Sequence, residues 1–327
     1  MTHNDANDLN LSVKPTDLKP LFKTDAFRHA SAIALDWVLI AATIIATSYF
    51  FTWYTYLLAI SIIGARMHAL AILMHDASHY RFLKNRKWND RLTNLLIMYP
   101  LFSSIEVYRR NHMRHHRHLN TEDDPDWVSK LGKKSFTFPK TKQAFLLTIL
   151  SYFTLVQGIK DAIWFLKRFS VSTEAKQQKA KGQKNRASLI FMLSLFTLLT
   201  IFNGWVYYAI FWVVPYLSTF FMFQYIRSVA EHFGELSYDH LLTSTRTVKT
   251  NLLERFLLAP HNVGYHLEHH LYPAVPFYNL PKLHNLLMEG AEYQEKAHIT
   301  DGYFIGLFNE LGTVTVPIES GHKAQAI

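Results

Sequence analysis

Long apolar runs alternate with polar, basic stretches along this chain, and the apolar runs come in two close pairs. The first pair covers roughly Ile33 to Phe51 and Trp53 to Met74. The second covers roughly Ser188 to Phe202 and Val206 to Ile226. A helix needs about 20 apolar residues to cross the hydrocarbon core of a bilayer. Each run therefore predicts a membrane span, the third being slightly short. The connections Thr52-Trp53-Tyr54 and Asn203-Gly204-Trp205 are short, uncharged and aromatic, as an interfacial belt requires. Each pair predicts a tight helical hairpin. A further stretch, Ala144 to Ile159, is apolar but carries Gln157, then Lys160 and Asp161, and continues through Trp164, Phe165 and Phe169. It predicts one amphipathic helix in the membrane interface, near residues 143–169.

Charge sets the expected orientation. The chain has 327 residues and a formal net charge of +9. Lys14, Lys19, Lys23 and Arg28 precede the first run, Lys and Arg are dense between Arg81 and Arg186, and the hairpin tips carry none. The positive-inside rule puts both termini and the middle segment in the cytoplasm. The first 30 residues lack the apolar core of a signal peptide. The fold expected is an all-α integral membrane protein, with four transmembrane helices as two hairpins beneath a cytoplasmic helical cap. Residues 1–30 form the N-terminal segment, 31–281 the membrane domain and 282–327 the C-terminal segment.

The histidines change the picture from a membrane protein to a metalloprotein. His75 and His79 form H-x-x-x-H. His112, His115 and His116 form H-x-x-H-H, and His266, His269 and His270 repeat it. Residues three and four apart share a helix face, so each cluster can aim its rings at one point. Eight imidazoles exceed the needs of one four-coordinate ion, and a two-metal site is the economical reading. With four spans, all three clusters fall on one side of the membrane. Were 144–159 to span, the second and third would be separated. His232, near the end of the fourth run, is a candidate ninth ligand. Imidazole alone does not choose among zinc, copper, iron and nickel. The absence of cysteine excludes disulfides, thiolate-bound haem, iron–sulfur ligation and cysteine nucleophiles. His75-Asp76-Ala77-Ser78-His79 differs from a zinc-protease box in having Asp where the general-base Glu belongs.

Acidic residues beside the clusters are candidates to accept the second ring N–H of a ligand: Asp76, Glu106, Asp123, Asp124, Asp126, Glu231 and Glu268. Asn262 is a candidate to hold a metal-bound water. Arg66 and His68 are costly inside a span, which a helix projecting beyond the bilayer relieves; they are candidate pocket residues. His118 and His261 lie off the cluster spacing and are assigned supporting or structural roles. His3, His29, His240, His284, His298 and His322 are read as ordinary satisfied or exposed histidines.

The motifs HDASH at His75, RRNHMRHHRHLNTEDDPDW from Arg109, RSVAEHF from Arg227 and HNVGYHLEHHLYP from His261 resemble those of the membrane fatty acid desaturase superfamily, bacterial acyl-lipid and sphingolipid types included. The resemblance implies a di-iron centre held by His75, His79, His112, His115, His116, His232, His266, His269 and His270. It also implies oxygen as co-substrate and removal of two hydrogens from an unactivated acyl chain. In acyl-CoA desaturases an asparagine stands one turn before the histidine of the fourth helix; here that position is Ser228. The expected partners are a membrane lipid or fatty acyl substrate and a separate electron donor, a ferredoxin, rubredoxin or b-type cytochrome. No nucleic-acid partner is expected. Lys130, Lys133, Lys134 and the run Lys176 to Arg186 could attract an acidic donor or, first for the latter run, anionic lipid. The expected location is a bacterial inner membrane. Desaturation ranks first among the readings. Hydroxylation on the same scaffold follows, then decarboxylation of a free fatty acid to a terminal alkene with Arg66 as carboxylate anchor. A metal or haem transporter or sensor is the non-enzymatic alternative.

Overall fold

The structure is a computed structural model and describes residues 13–171 and 186–312, with main chain only from 164 to 171. Much of the basic run from Lys176, as well as His3 and His322, falls outside the described residues. Helix α1, Ala26–Tyr49, starts where the Asp25 side chain accepts from the Arg28 amide at 3.0 Å. A three-residue turn leads to α2, Trp53–Ser78. There the hydroxyls of Thr52 and Thr55 satisfy each other's amides in a capping box. The two helices pack along their length. Of the apolar window of α2, 78% is buried, against 22% for α1, so α2 is the central helix and α1 lies outside it. Short helix α3, Arg86–Thr93, and then α4, Ile105–Arg117, follow.

The next segment departs from expectation. In place of one interfacial helix it forms α5, Lys142–Phe153, and α6, beginning at Val156, bent 79° apart. Leu155 breaks the helix by turning left-handed, with φ +64°. The Tyr152 hydroxyl ties the two arms by donating to Asp161 at 2.8 Å. Helix α7, Arg186–Ile201, is the third predicted run; its 16 residues make it shorter than a span. Helix α8 runs from Trp205 to His232 through two π-helical turns on either side of Pro215. Among the described residues, α1, α2 and α8 are therefore the helices long and apolar enough to cross a membrane. The bent α5–α6 pair qualifies only if taken as one crossing.

Leu35, Val38, Ile45, Leu57, Leu58, Leu189, Leu193 and Phe196 point outward and exposed, an apolar surface that water does not favour and lipid does. Past α8 the chain forms a cap. Strand β1, Thr247–Lys249, pairs in parallel with β2, Ile299–Asp301. Helices α9, His266–Leu271, and α10, Leu280–Leu287, lie between them in sequence. The chain beyond 281 belongs to the same packed body: Leu283, Leu287, Tyr293, Tyr303, Leu307 and Leu311 are buried. Residues 13–25 lie across the cap, with Leu18, Leu21 and Phe22 packed on its core.

One close approach fixes the bent pair. A Cβ on Gly158 would stand 1.5 Å from the Leu217 carbonyl oxygen in α8. Gly158→Ala is expected to push α6 off α8 at a cost of at least about 1–3 kcal/mol. A lowered thermal midpoint of the detergent-solubilised protein would register it, and an unchanged midpoint would contradict this packing.

Candidate metal centre

Four elements bring nine histidines together. The last turn of α2 carries His75 and ends at His79; one face of α4 carries His112, His115 and His116. The end of α8 carries His232, and the six-residue α9 carries His266, His269 and His270. They separate into two groups. His75, His79, His112, His116 and His269 form one; His115, His232, His266 and His270 form the other. Within each group the ring nitrogens lie within 4.8 Å of one another. The sequence order is crossed between the groups: α4 sends His112 and His116 to one and His115 to the other. The same division occurs in α9, where His269 leaves His266 and His270. Neighbouring positions on a helix point about 100° apart, which is how adjacent histidines reach different centres.

The close contacts are nitrogen to nitrogen. His79 Nε2 is 2.9 Å from His112 Nε2, and His116 Nε2 is 3.0 Å from both His112 and His269 Nε2. In the other group His266 Nε2 is 3.0 Å from His232 Nε2 and from His270 Nε2. A neutral imidazole nitrogen is either one donor or one acceptor. A nitrogen with two such neighbours cannot pair properly with both by hydrogen bonding alone. Two ring nitrogens each about 2.0–2.1 Å from a shared cation, at right angles, stand about 2.8–3.0 Å apart. The spacing is that of ligands around an ion, so the residues fit one metal in each group.

The electrostatics point the same way. Burial, with Arg81 and Arg109 beside it, pulls the His79 imidazole from its ordinary 6.5 down to about 3. Burial first, and second the penalty of placing a further positive charge among the neighbouring imidazoles (with Arg227 beside His266 and His269), hold His112, His116, His266, His269 and His270 well below their ordinary value. These rings are neutral at physiological pH, with a lone pair free, which is the form a metal binds.

The acidic neighbours divide. Asp124 is fully buried and its Oδ2 lies 2.8 Å from His115 Nδ1. Glu231 Oε1 lies 3.3 Å from His266 Nδ1 and accepts from Arg227 Nε at 2.6 Å. The others reach elsewhere. Asp76 accepts from the Phe277 amide and faces His29 at 3.4 Å. Glu106 accepts both bonds from Asn94, and Asp126 pairs with Lys130. Asp123 engages Arg114 through its main-chain carbonyl at 3.3 Å. Glu268 collects Thr247, His284 and Tyr293, so it braces α9 against the cap. Asn262 donates to the Phe277 carbonyl at 3.1 Å.

Arg66 is buried and engaged: it pairs with Asp36 at 3.0 Å, donates to the Phe256 carbonyl, and lies over the Phe256 ring. Asp36 also meets His261 Nε2 at 2.7 Å. Arg66 thus has its carboxylate within the protein, which removes it as anchor for a free fatty acid. His68 is fully buried, stacked on Phe223 with centroids 6.2 Å apart. Sequence reasoning passed over Asp36, the partner of Arg66 and His261, although a lone carboxylate in an apolar run is a signal for a buried cation. It also passed over His29, which is fully buried between Phe82 and Phe277, and Arg227.

Two histidine groups, each suited to one metal ion, thus lie where helices apolar and long enough to cross a membrane come to an end. The sequence model of the fatty acid desaturase family matches residues 51–302, and this chain belongs to that family. It is 30% identical over 295 residues to the dihydrorhizobitoxine desaturase of Bradyrhizobium elkanii, covering 89% of this chain and 82% of that protein. To the sn-1 oleoyl-lipid 12-desaturase of Synechocystis sp. it is 25% identical, covering 85% of this chain and 82% of the other. To the chloroplastic omega-6 fatty acid desaturase of Spinacia oleracea it is 25% identical, over 75% of this chain and 56% of that relative.

Proposed function

We propose that the chain is an oxygen-dependent desaturase that introduces a C=C bond into a fatty acyl chain held in the membrane. The observation that carries this reading is the pair of buried histidine groups, five and four strong, where apolar helices α2 and α8 end. Iron held in both groups would supply the oxygen activation that an alkane C–H requires, since no side chain is a base strong enough to take its hydrogen. The nine histidines would hold the two ions. Asp124 and Glu231 fix the rings of His115 and His266 from behind, and apolar walls of α1, α2 and α8 exclude water from the acyl chain. Dehydrogenation needs two electrons beyond those of the substrate, so a separate ferredoxin, rubredoxin or b-type cytochrome supplies them. The topology proposed is four crossings, with α7 completing a hairpin with α8, both termini and the metal centre cytoplasmic, in a bacterial inner membrane.

Cells expressing the wild-type chain, compared with cells expressing His269→Ala, test it. Fatty acids released from their lipids and resolved by mass spectrometry are expected to include products two mass units lighter, absent from the variant. Products sixteen units heavier would replace desaturation by hydroxylation, and terminal alkenes one carbon shorter would replace it by decarboxylation.

A further inference from the structure

Immediately beyond the metal centre, where the chain leaves His79, a cleft of about 470 Å³ opens between residues 80–86 and the N-terminal segment. Lys23, Arg81, Lys84 and Arg86 line it, with Thr24 and Tyr80, and none of its lining residues is acidic. Both walls are anchored. Arg81 donates through Nε to the His79 carbonyl at 2.8 Å and through Nη1 to the Ala274 carbonyl at 3.0 Å. Tyr80 sits in the left-handed region at φ +59°, its ring packed against the guanidinium of Arg86 at 4.8 Å and that of Arg109 at 4.0 Å. A non-glycine residue held there marks a turn fixed by its surroundings. The opposite wall is pinned through Tyr278, whose hydroxyl accepts from the Asp25 amide at 2.5 Å and lies 3.3 Å from the Lys23 carbonyl.

Four cations converging on one cleft repel each other, and low-dielectric walls concentrate their field. Guanidinium and ammonium groups together are the donor set that phosphate oxygens take up, the guanidinium in paired bonds. We propose that this cleft binds the phosphate-bearing head of the acyl substrate, so that the chain enters the metal centre past His79 with its head held outside. The proposal rests on the acyl-substrate reading above. The phosphate comes either from a phospholipid head group or from a phosphorylated thioester carrier; a free fatty acid has none.

Lys23 and Lys84 line the cleft, are exposed and anchor neither wall through their side chains, so Lys23→Gln with Lys84→Gln leaves the fold in place. Lys249→Gln with Lys282→Gln, at two other exposed positions, removes equal charge elsewhere. Affinities of the metal-loaded protein in neutral nanodiscs are measured for dihexanoyl phosphatidic acid, hexanoyl coenzyme A, dihexanoylglycerol and inorganic phosphate. The first double variant is expected to lose about tenfold or more in affinity for whichever phosphorylated acyl probe binds, and the second to lose less than twofold. Preference for phosphatidic acid assigns the lipid source, and preference for the coenzyme A thioester the soluble one. Equal binding of dihexanoylglycerol, binding of inorganic phosphate alone, or equal losses in both double variants would overturn the site. Because the readout is binding, it stands apart from turnover: a chain that binds these probes selectively yet makes no alkene would keep the cleft and lose the desaturase reading.

Discussion

His112→Ala is expected to abolish turnover, by about 10³-fold or more if catalysis needs both ions together, and to lower bound iron from two per chain toward one. His112 is central to the larger group: its Nε2 is 2.9 Å from that of His79 and 3.0 Å from that of His116. His266→Ala is expected to do the same through the other group, where His266 Nε2 lies 3.0 Å from the ring nitrogens of both His232 and His270. The pair of variants separates two ways in which histidines can be essential. If each group holds its own ion, either variant retains about one iron, and the double variant retains none. If the nine rings serve a single centre, each single variant loses everything. Iron is counted by elemental analysis against protein, and turnover by the mass of released fatty acids. Two full irons in His112→Ala with activity intact would sink the two-group assignment. Because both rings are buried, truncation also leaves a cavity, so the loss is read against thermal stability of the iron-free proteins. A common midpoint for wild type and variants without iron places the defect in metal binding.

The candidate ligands were legible because helical spacing is local information: three and four residues apart fixes a face whatever the rest of the chain does. The chain-wide hydrophobic pattern likewise located α1, α2 and α8. What the sequence could not show was how the faces interleave. Nothing in H-x-x-H-H says that the middle histidine goes to a different group from the outer two; that depends on the angle at which α4 meets α9. The break at Leu155 was hidden for a related reason. Residues 142–163 are apolar on both sides of it, and the left-handed residue is a leucine, not the glycine that would have flagged a turn. The acidic partners were least legible. An aspartate next to a ligand in sequence, such as Asp76, faces a different way and meets His29 and the Phe277 amide. Asp124, nine residues beyond His115, whose ring it contacts, is brought back by the turn that follows α4.

That turn gives Asp124 its weight. The carboxylate is fully buried, and Oδ1 accepts from the amides of Asp126 at 2.8 Å and Trp127 at 3.2 Å. Oδ2 lies 3.1 Å from the Asn120 amide and 2.8 Å from His115 Nδ1. Accepting from Nδ1–H leaves the lone pair of His115 on Nε2, facing the second group. Asp124→Asn keeps one oxygen for the capping bonds and places an NH2 where Oδ2 was. That NH2 meets the Asn120 N–H donor to donor, and it can satisfy His115 only by donating to Nδ1, which moves the ring proton to Nε2 and blocks the lone pair. Iron affinity of the second group is therefore expected to fall about 10–100-fold, with activity falling in parallel at limiting iron and recovering in part at saturating iron. The unsatisfied Asn120 amide costs a further ~1–3 kcal/mol of stability, which iron does not restore, so the two effects separate in one titration. Asp126→Asn is the comparison: Asp126 pairs with Lys130, at the partly exposed edge of the same turn, and its loss is expected to change iron affinity less than twofold. Equal iron affinities in Asp124→Asn and the wild type would mean that His115 is oriented by its helix alone.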